Sequence, residues 1–426
     1  MSVPPAPSGG RRAAAFGFVF VSAVACAISI GIMIPVLPNL LKQFNGGDTA
    51  RAAEWSTAFM VVGGLMSFFS GPILGLLSDR FGRRPVLLIS ITGLGLDFLF
   101  MAFAPSLLWL FVGRLISGAT SGVFSTANAY VADVTPPEGR ARAFGWMGAA
   151  FSVGFLTGPA IGGYLGGFDL RLPFLAAAGL SLANALYGLV VLPESLPPAR
   201  RVRTFHWARA NPLGSLRLLT SHYELLPLAM VGFLNQLANM MWPSVFVLYA
   251  GYRYHWGPGL TGLFFMASSL FGIAVQSFLV GPVVRRFGER GALLAGSAAP
   301  ILGMAWSGTA WTGFLYCFGV PVNSLAGLLI PGLQGLMTRL VGPTEQGQLQ
   351  GANQSLQGMA SVLGPILYGL SFAWAVDHPQ YHLPGLPMYL AALTMLASFI
   401  IAVRAGRAAQ AHADHGDTQP IRDAAK

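Results

Sequence analysis

Long apolar runs dominate this chain. Twelve stretches near residues 14–37, 56–77, 86–105, 107–132, 142–166, 172–193, 224–248, 259–282, 291–310, 312–339, 346–374 and 385–404 are long enough to cross a bilayer as helices, each needing about 20 apolar residues. No ten-residue alternating pattern recurs, which excludes a membrane β-barrel. Of the 426 residues, 54% are hydrophobic and 9% charged, against about 25% charged in soluble domains. The expected fold class is therefore an all-α membrane protein with twelve transmembrane helices.

The net charge of +10 does not point to nucleic acid. The arginines sit between apolar runs and form no basic, aromatic-interleaved face. By these boundaries 20 of the 25 Lys and Arg residues fall on one side of the membrane and 4 on the other, with Arg114 inside a run. Cytoplasmic segments carry the positive excess, so both termini are expected in the cytoplasm. The first run follows Arg11 and Arg12 but is too long for a signal peptide and shows no clear cleavage site. Cys26 and Cys317 lie in apolar runs; no disulfide, metal or cofactor is expected.

The chain repeats itself. A shift of 206 residues carries Arg80, Phe81, Gly82, Arg84, Leu87 and Leu88 onto Arg286, Phe287, Gly288, Arg290, Leu293 and Leu294. The same shift carries Pro137, Gly145, Gly158, Pro159 and Gly163 onto Pro343, Gly351, Gly364, Pro365 and Gly369. Each half holds six spans in the same sense, and parallel repeats are a transporter architecture with the substrate path between halves. The expected divisions are a first bundle over 1–193, a cytoplasmic linker over 194–222, a second bundle over 223–406 and a disordered tail from 407. The linker segment NPLGSLRLL (211–219) could open a short surface helix, with Pro212 in its first turn.

GLLSDRFGRRPVLL (75–88) resembles the loop 2–3 signature of the major facilitator superfamily, carried by Gly75, Asp79, Arg80, Gly82, Arg83 and Arg84. GWMGAAFSVGFLTGPAIGG (145–163) is similar to the fifth-span signature of that superfamily's drug antiporters, with Gly154, Gly158, Pro159 and Gly162 on it. IPVLPNLL (34–41), GRLISG (113–118), YVADVTPPEGRARAFG (130–145) and GQLQGANQSLQ (347–357) resemble the tetracycline-efflux branch. The resemblance spans nearly the whole chain apart from the tails. It implies a bacterial inner-membrane carrier, monomeric, that exchanges protons for a small amphipathic organic compound by alternating access. It also implies a cytoplasmic latch between the halves, with Asp79 facing the other half and Arg83 paired with Asp133. The alternative is that these arginines only set topology. The second copy carries Arg285 where the first has Asp79, so the expected latch is asymmetric. Gly75 and Gly82 are expected to allow close backbone approach and turning. The fifth-span glycines suit close helix packing, which needs no further role.

A charge inside the membrane costs at least about 2.5–3.5 kcal/mol and is functional by default. Asp97 is the only acid well inside a span and Arg114 the only base. Both sit about eight residues from the turn joining spans 3 and 4, or roughly 12 Å at 1.5 Å per residue. They are expected to pair, or to lie close enough for Arg114 to influence the protonation of Asp97; a purely structural pair is the alternative. Arg114, Ser117, Ser121, Ser125 and Asn128 fall within about 80° of a helical arc, giving span 4 a polar face. Asn235, Gln236 and Asn239 in span 7, Gln276 in span 8, and Gln350, Gln354 and Gln357 in span 11 extend a candidate substrate cavity. Helix–helix hydrogen bonding is the competing role for each.

Two departures stand out. The resembled branch carries functional aspartates in spans 1 and 9, at positions matching Cys26 and Pro300 here. Asp97 is left as the candidate for proton coupling. A facilitator or importer without such coupling, and a non-transporting sensor or assembly factor, are the alternatives. No nucleophile–base constellation suggests an enzyme.

Overall fold

The computed structural model describes residues 9–120, 122–136, 139–198, 201, 218–219, 224–342 and 345–416. Regular structure among them is entirely helical, as a bilayer requires of any spanning segment that is not a closed barrel. Eleven helical runs are long and apolar enough to cross a membrane. One of these, Pro258–Thr309, is 52 residues long and breaks at Gly288, where φ is 72° and ψ 176°. It is therefore spans 8 and 9, which makes twelve spans among the described residues. The others are span 1 (Gly9–Met33), span 2 (Thr49–Phe81), span 3 (Arg83–Phe103), span 4 (Leu107–Val134), span 5 (Arg140–Gly166) and span 6 (Leu172–Val191). Span 7 (Leu225–Tyr254), span 10 (Gly313–Arg339), span 11 (Gln346–Asp377) and span 12 (Leu386–Gly416) complete the set.

Several spans are interrupted. Span 4 consists of Leu107–Ala119 and Val123–Val134, so its polar residues do not lie on one continuous helix. Span 8 contains a π-turn over Val275–Leu279, and span 10 is assembled from short helical pieces. Span 12 runs on to Gly416 rather than ending near 407. The segment RAGRAAQAHADHG (404–416) is rich in strong helix formers and stops at a glycine. The expected linker helix at 211–219 lies outside the described residues, apart from helical Leu218 and Leu219.

The chain forms two compact units. Unit 1 comprises residues 1–44, 62–211 and 257–266; unit 2 comprises 45–61, 212–256 and 267–426. The core of unit 1 gathers Phe18, Cys26, Leu87, Ile91, Tyr130 and Met147 from spans 1, 3, 4 and 5. Polar staples cross it: Ser22 donates to Asn184 at 2.8 Å, and Ser181 to Ser29 at 3.0 Å. Such bonds add to van der Waals packing, because lipid supplies no hydrophobic drive between helices. Unit 2 has an aromatic core in which Phe246 stacks on Tyr316 at 5.6 Å and Tyr249 meets Phe372 edge-on at 6.2 Å.

Candidate functional site

The loop between spans 2 and 3 is a single residue. Gly82 turns the chain with φ 109° and ψ 159°, a region only glycine occupies readily. A Cβ there would also overlap the Glu194 carboxylate. The turn throws Arg83 back across the end of span 2. Its guanidinium meets Asp79 at 2.6 Å, Ser78 Oγ at 2.6 Å and Asp133 at 3.1 Å. Its backbone N–H donates to Glu194 Oε1 at 2.8 Å, satisfying one of the free donors at a helix start. Ser195 donates to the same Asp133 oxygen at 3.2 Å, and Arg201 lies 3.7 Å from Glu194. Arg84 donates to the Leu189 carbonyl at 2.7 Å, and Arg80 covers the Phe81 ring at 5.4 Å. Asp79 thus pairs inside unit 1. Gly75 does not behave as expected: it lies within the span 2 helix, and nothing stands within 4 Å of where its Cβ would be.

Glu194 and Ser195 are members of this network that the sequence reading passed over. Their signal was the PES triplet directly after span 6, which looked like the start of a linker.

Gly288 shares the unusual backbone of Gly82, and Arg286 covers Phe287 at 5.5 Å as Arg80 covers Phe81. Arg285 stands where the first copy has Asp79, as expected, but this copy carries its acid four residues later. Glu289 and Arg339 form an ion pair at 2.7 Å, and they lie 206 residues after Arg83 and Asp133. Both copies tie the same two helix ends together, with the charges exchanged.

In span 5, Gly154 and Gly158 lie against the backbone of span 1. A Cβ on Gly158 would strike Gly31 and the Ile28 carbonyl; one on Gly154 would strike Ala27. Gly162 meets Ile32 in the same way, and Gly163 meets Gly262 at the start of span 8. Pro159 closes on Gly31 from the same face. The shift of 206 residues reproduces this in unit 2, where Gly364 abuts Met240 of span 7 and Gly369 abuts Thr57 of span 2. Thr57 also donates to the Pro365 carbonyl at 3.4 Å.

Within the membrane Asp97 is 2% exposed and its carboxylate lies against Gly113 of span 4. Arg114 and Ser117 are near enough to act on its charge, yet neither carboxylate oxygen has a hydrogen bond of good geometry. The guanidinium of Arg114 is turned onto the Met33 sulfur instead, and no ion pair joins Arg114 to Asp97 among the described residues.

Of the polar face of span 4, Ser117 is half-buried, Ser125 and Asn128 are exposed, and Ser121 lies outside the described residues. Ser125 caps back onto the Gly122 carbonyl at 3.1 Å. In unit 2, Gln350, Gln354 and Gln357 form an exposed stripe along span 11, and Gln276 is exposed on the π-turn. Gln236 and Asn239 are half-buried, whereas Asn235 is buried with its side-chain oxygen unpaired. Cys26 is fully buried and accepts from Asn184 at 3.6 Å. Pro300 is buried within span 9. Neither position offers a titrating carboxylate.

Twelve spans in two matching sets, with glycine-packed spans 5 and 11 and charged turns at Gly82 and Gly288, define a multi-pass secondary transporter of facilitator type. The model of the Major Facilitator Superfamily matches residues 19–365 and 228–415, and the chain belongs to that superfamily. It stands in the tetracycline-efflux-like branch. It is 37% identical to the class C tetracycline resistance protein of Escherichia coli over 356 residues, covering 82% of this chain and 87% of that protein. It is 35% identical to the class G tetracycline resistance protein of Vibrio anguillarum, over 80% of this chain and 86% of that one. Among solved structures, the nucleoside transporter NupG has the same fold, with a TM-score of 0.71 at 15% identity over 92% of this chain and 98% of its own.

Proposed function

We propose that this transporter exports a small amphipathic organic compound of the tetracycline type across a bacterial inner membrane, driven by inward proton movement. Asp97 carries this reading: it is a buried carboxylate near the Ser117 hydroxyl and the cation Arg114, with no hydrogen bond of good geometry and no ion pair. A coupled carrier needs one group whose charge changes during the cycle, and an ionised carboxylate in this position is expensive unless a nearby cation or a bound proton neutralises it. With cysteine and proline at the span 1 and span 9 positions, Asp97 takes that role without partners there. The substrate path runs between the two six-span halves, with both termini in the cytoplasm. The Arg83 and Glu289 networks each lie within one half and hold its cytoplasmic helix ends together as the halves rock.

The test is proton movement in reconstituted vesicles on addition of tetracycline, for the wild type and Asp97→Asn. Tetracycline-dependent proton flux in the wild type, reduced at least tenfold in the variant, is the expected result. Tetracycline transport without proton movement would replace coupling by facilitated flow, a reading that the loss of the span 1 and span 9 acids favours. For the latch, Asp79→Asn is expected to lower transport at normal surface abundance; unchanged transport would remove Asp79 from it.

A further inference from the structure

The two charged turns differ in what completes them. In the first copy Arg84 donates to the Leu189 carbonyl, and the Glu194 carboxylate covers Gly82. The shift of 206 residues places Arg290 where Arg84 stands and Gly288 where Gly82 stands. Nothing lies within 4 Å of a Cβ on Gly288. The stem of Arg290 packs on span 12, where a Cβ on Gly406 would lie 3.2 Å from its Cγ. Both arginines leave a buried Nε unpaired. Arg84 finds a partner for another nitrogen, whereas no hydrogen bond or ion pair joins Arg290 to any described residue.

The cause is where the neighbouring helix stops. Span 6 ends at Val191, and the carbonyls of its last turn have no acceptor role inside the helix. Span 12 runs on to Gly416, so at the level of Gly406 its carbonyls are bonded within the helix. Glu289 is engaged too, by Arg339 at 2.7 Å. The face of span 12 beside this arginine changes character along its length. Leu393, Leu396, Ile400, Arg404 and Arg407 follow one another at spacings of three or four residues, and all are exposed. One helical face thus passes from apolar to cationic.

We propose that this end of spans 9 and 12 binds an anionic phospholipid of the adjoining leaflet. Arg290 donates to the phosphate, Arg404 and Arg407 add positive charge, and an acyl chain lies along Leu393, Leu396 and Ile400. The planar fork of arginine matches phosphate oxygens, and basic pockets between membrane helices suit such head groups. A free phosphate would meet the same donors but leave the apolar stripe unused. The first copy supplies its own acceptors, so the site belongs to the second alone. The proposal requires a bilayer around the chain and does not depend on what the carrier transports.

Thermal unfolding of the purified full chain in dodecyl maltoside tests it. The probes are dioleoylphosphatidylglycerol, its zwitterionic counterpart dioleoylphosphatidylcholine, and inorganic phosphate. Affinity is read as the concentration giving half of the saturable rise in melting temperature, because a ligand of the folded state stabilises it. Phosphatidylglycerol should act at about tenfold lower concentration than phosphatidylcholine, and millimolar inorganic phosphate should give no saturable rise. Arg290→Gln should weaken phosphatidylglycerol about tenfold, the effect of one charge-assisted hydrogen bond of about 1.4 kcal/mol. Arg290→Lys should fall between, since it keeps the charge but not the fork. The double variant Arg404→Gln/Arg407→Gln should weaken it about fivefold. Arg142→Gln, at an exposed arginine of span 5, should leave it nearly unchanged. Equal action of the two lipids would mean acyl packing alone and would overturn the proposal. So would inorganic phosphate acting as well as the lipid, which is a soluble-anion site. A loss in Arg142→Gln as large as in Arg290→Gln would mean a diffuse positive surface and would overturn it too. Arg404 and Arg407 are exposed, so the double variant decides if Arg290→Gln folds poorly: unchanged lipid affinity there sinks the site.

Discussion

Gly82 and Gly288 share a backbone conformation that a residue with a Cβ adopts only at a cost of about 1–3 kcal/mol, but their surroundings differ. Gly82 has the Glu194 carboxylate on top of it, whereas Gly288 has open space. Gly82→Ala should therefore destabilise the purified protein more than Gly288→Ala, with the difference visible as a lower melting temperature in detergent. Equal losses would mean that backbone strain alone is at work and that Glu194 yields freely. These two glycines were legible in the sequence because the repeat preserves them by identity. The ion pair beside Gly82, Arg83 with Asp133, was expected as well, but its counterpart beside Gly288 was not. Arg83–Asp133 becomes Glu289–Arg339, so both residues differ and only the attraction between them survives. A comparison that scores identical letters passes over such a pair, although a search for complementary charges at one offset finds it.

Helix packing in this chain is set by where glycine is, and two glycines of span 5 separate packing from mere presence. Gly154 lies against Ala27 and Ile28, whereas nothing stands within 4 Å of a Cβ on Gly145. Gly154→Ala should cost about 1–3 kcal/mol through overpacking. Gly145→Ala should be neutral or stabilise by about 0.4–1 kcal/mol, by restricting the unfolded chain. Melting temperatures of the two variants should thus move in opposite directions, or one should stay fixed. Loss of stability in both would mean that span 5 as a whole tolerates no side chain there. Apolar length alone made the existence of the spans plain, because a bilayer permits few other structures. Their interruptions were harder to see. The polar stripe of span 4 assumed unbroken 3.6-residue periodicity, yet Thr120 ends one helix and Val123 begins another. The signal was SGATSG (117–122), where two glycines among small polar residues weaken a helix. Hydropathy averaged over a span cannot register this.

At the scale of the whole molecule, the two compact units are not the two sequence halves. Residues 257–266, the start of span 8, belong to unit 1, and residues 45–61, with the start of span 2, belong to unit 2. Under the 206-residue shift these segments nearly coincide, so each repeat lends the same piece to the other unit. The joints are glycine contacts: Gly163 against Gly262 in unit 1, and Gly369 against Thr57 in unit 2. If alternating access requires these segments to close on spans 5 and 11 in every cycle, a bulky side chain at either joint should stop it. Gly163→Leu and Gly369→Leu are each expected to reduce transport at least tenfold at normal membrane abundance. Their losses should be similar, because the two joints serve one motion and blocking either blocks the cycle. A large loss in only one variant would show that the repeat persists in geometry but that a single joint carries the motion. Full transport in both would mean that the contacts are static packing, with the working surfaces of the cycle elsewhere on spans 5 and 11.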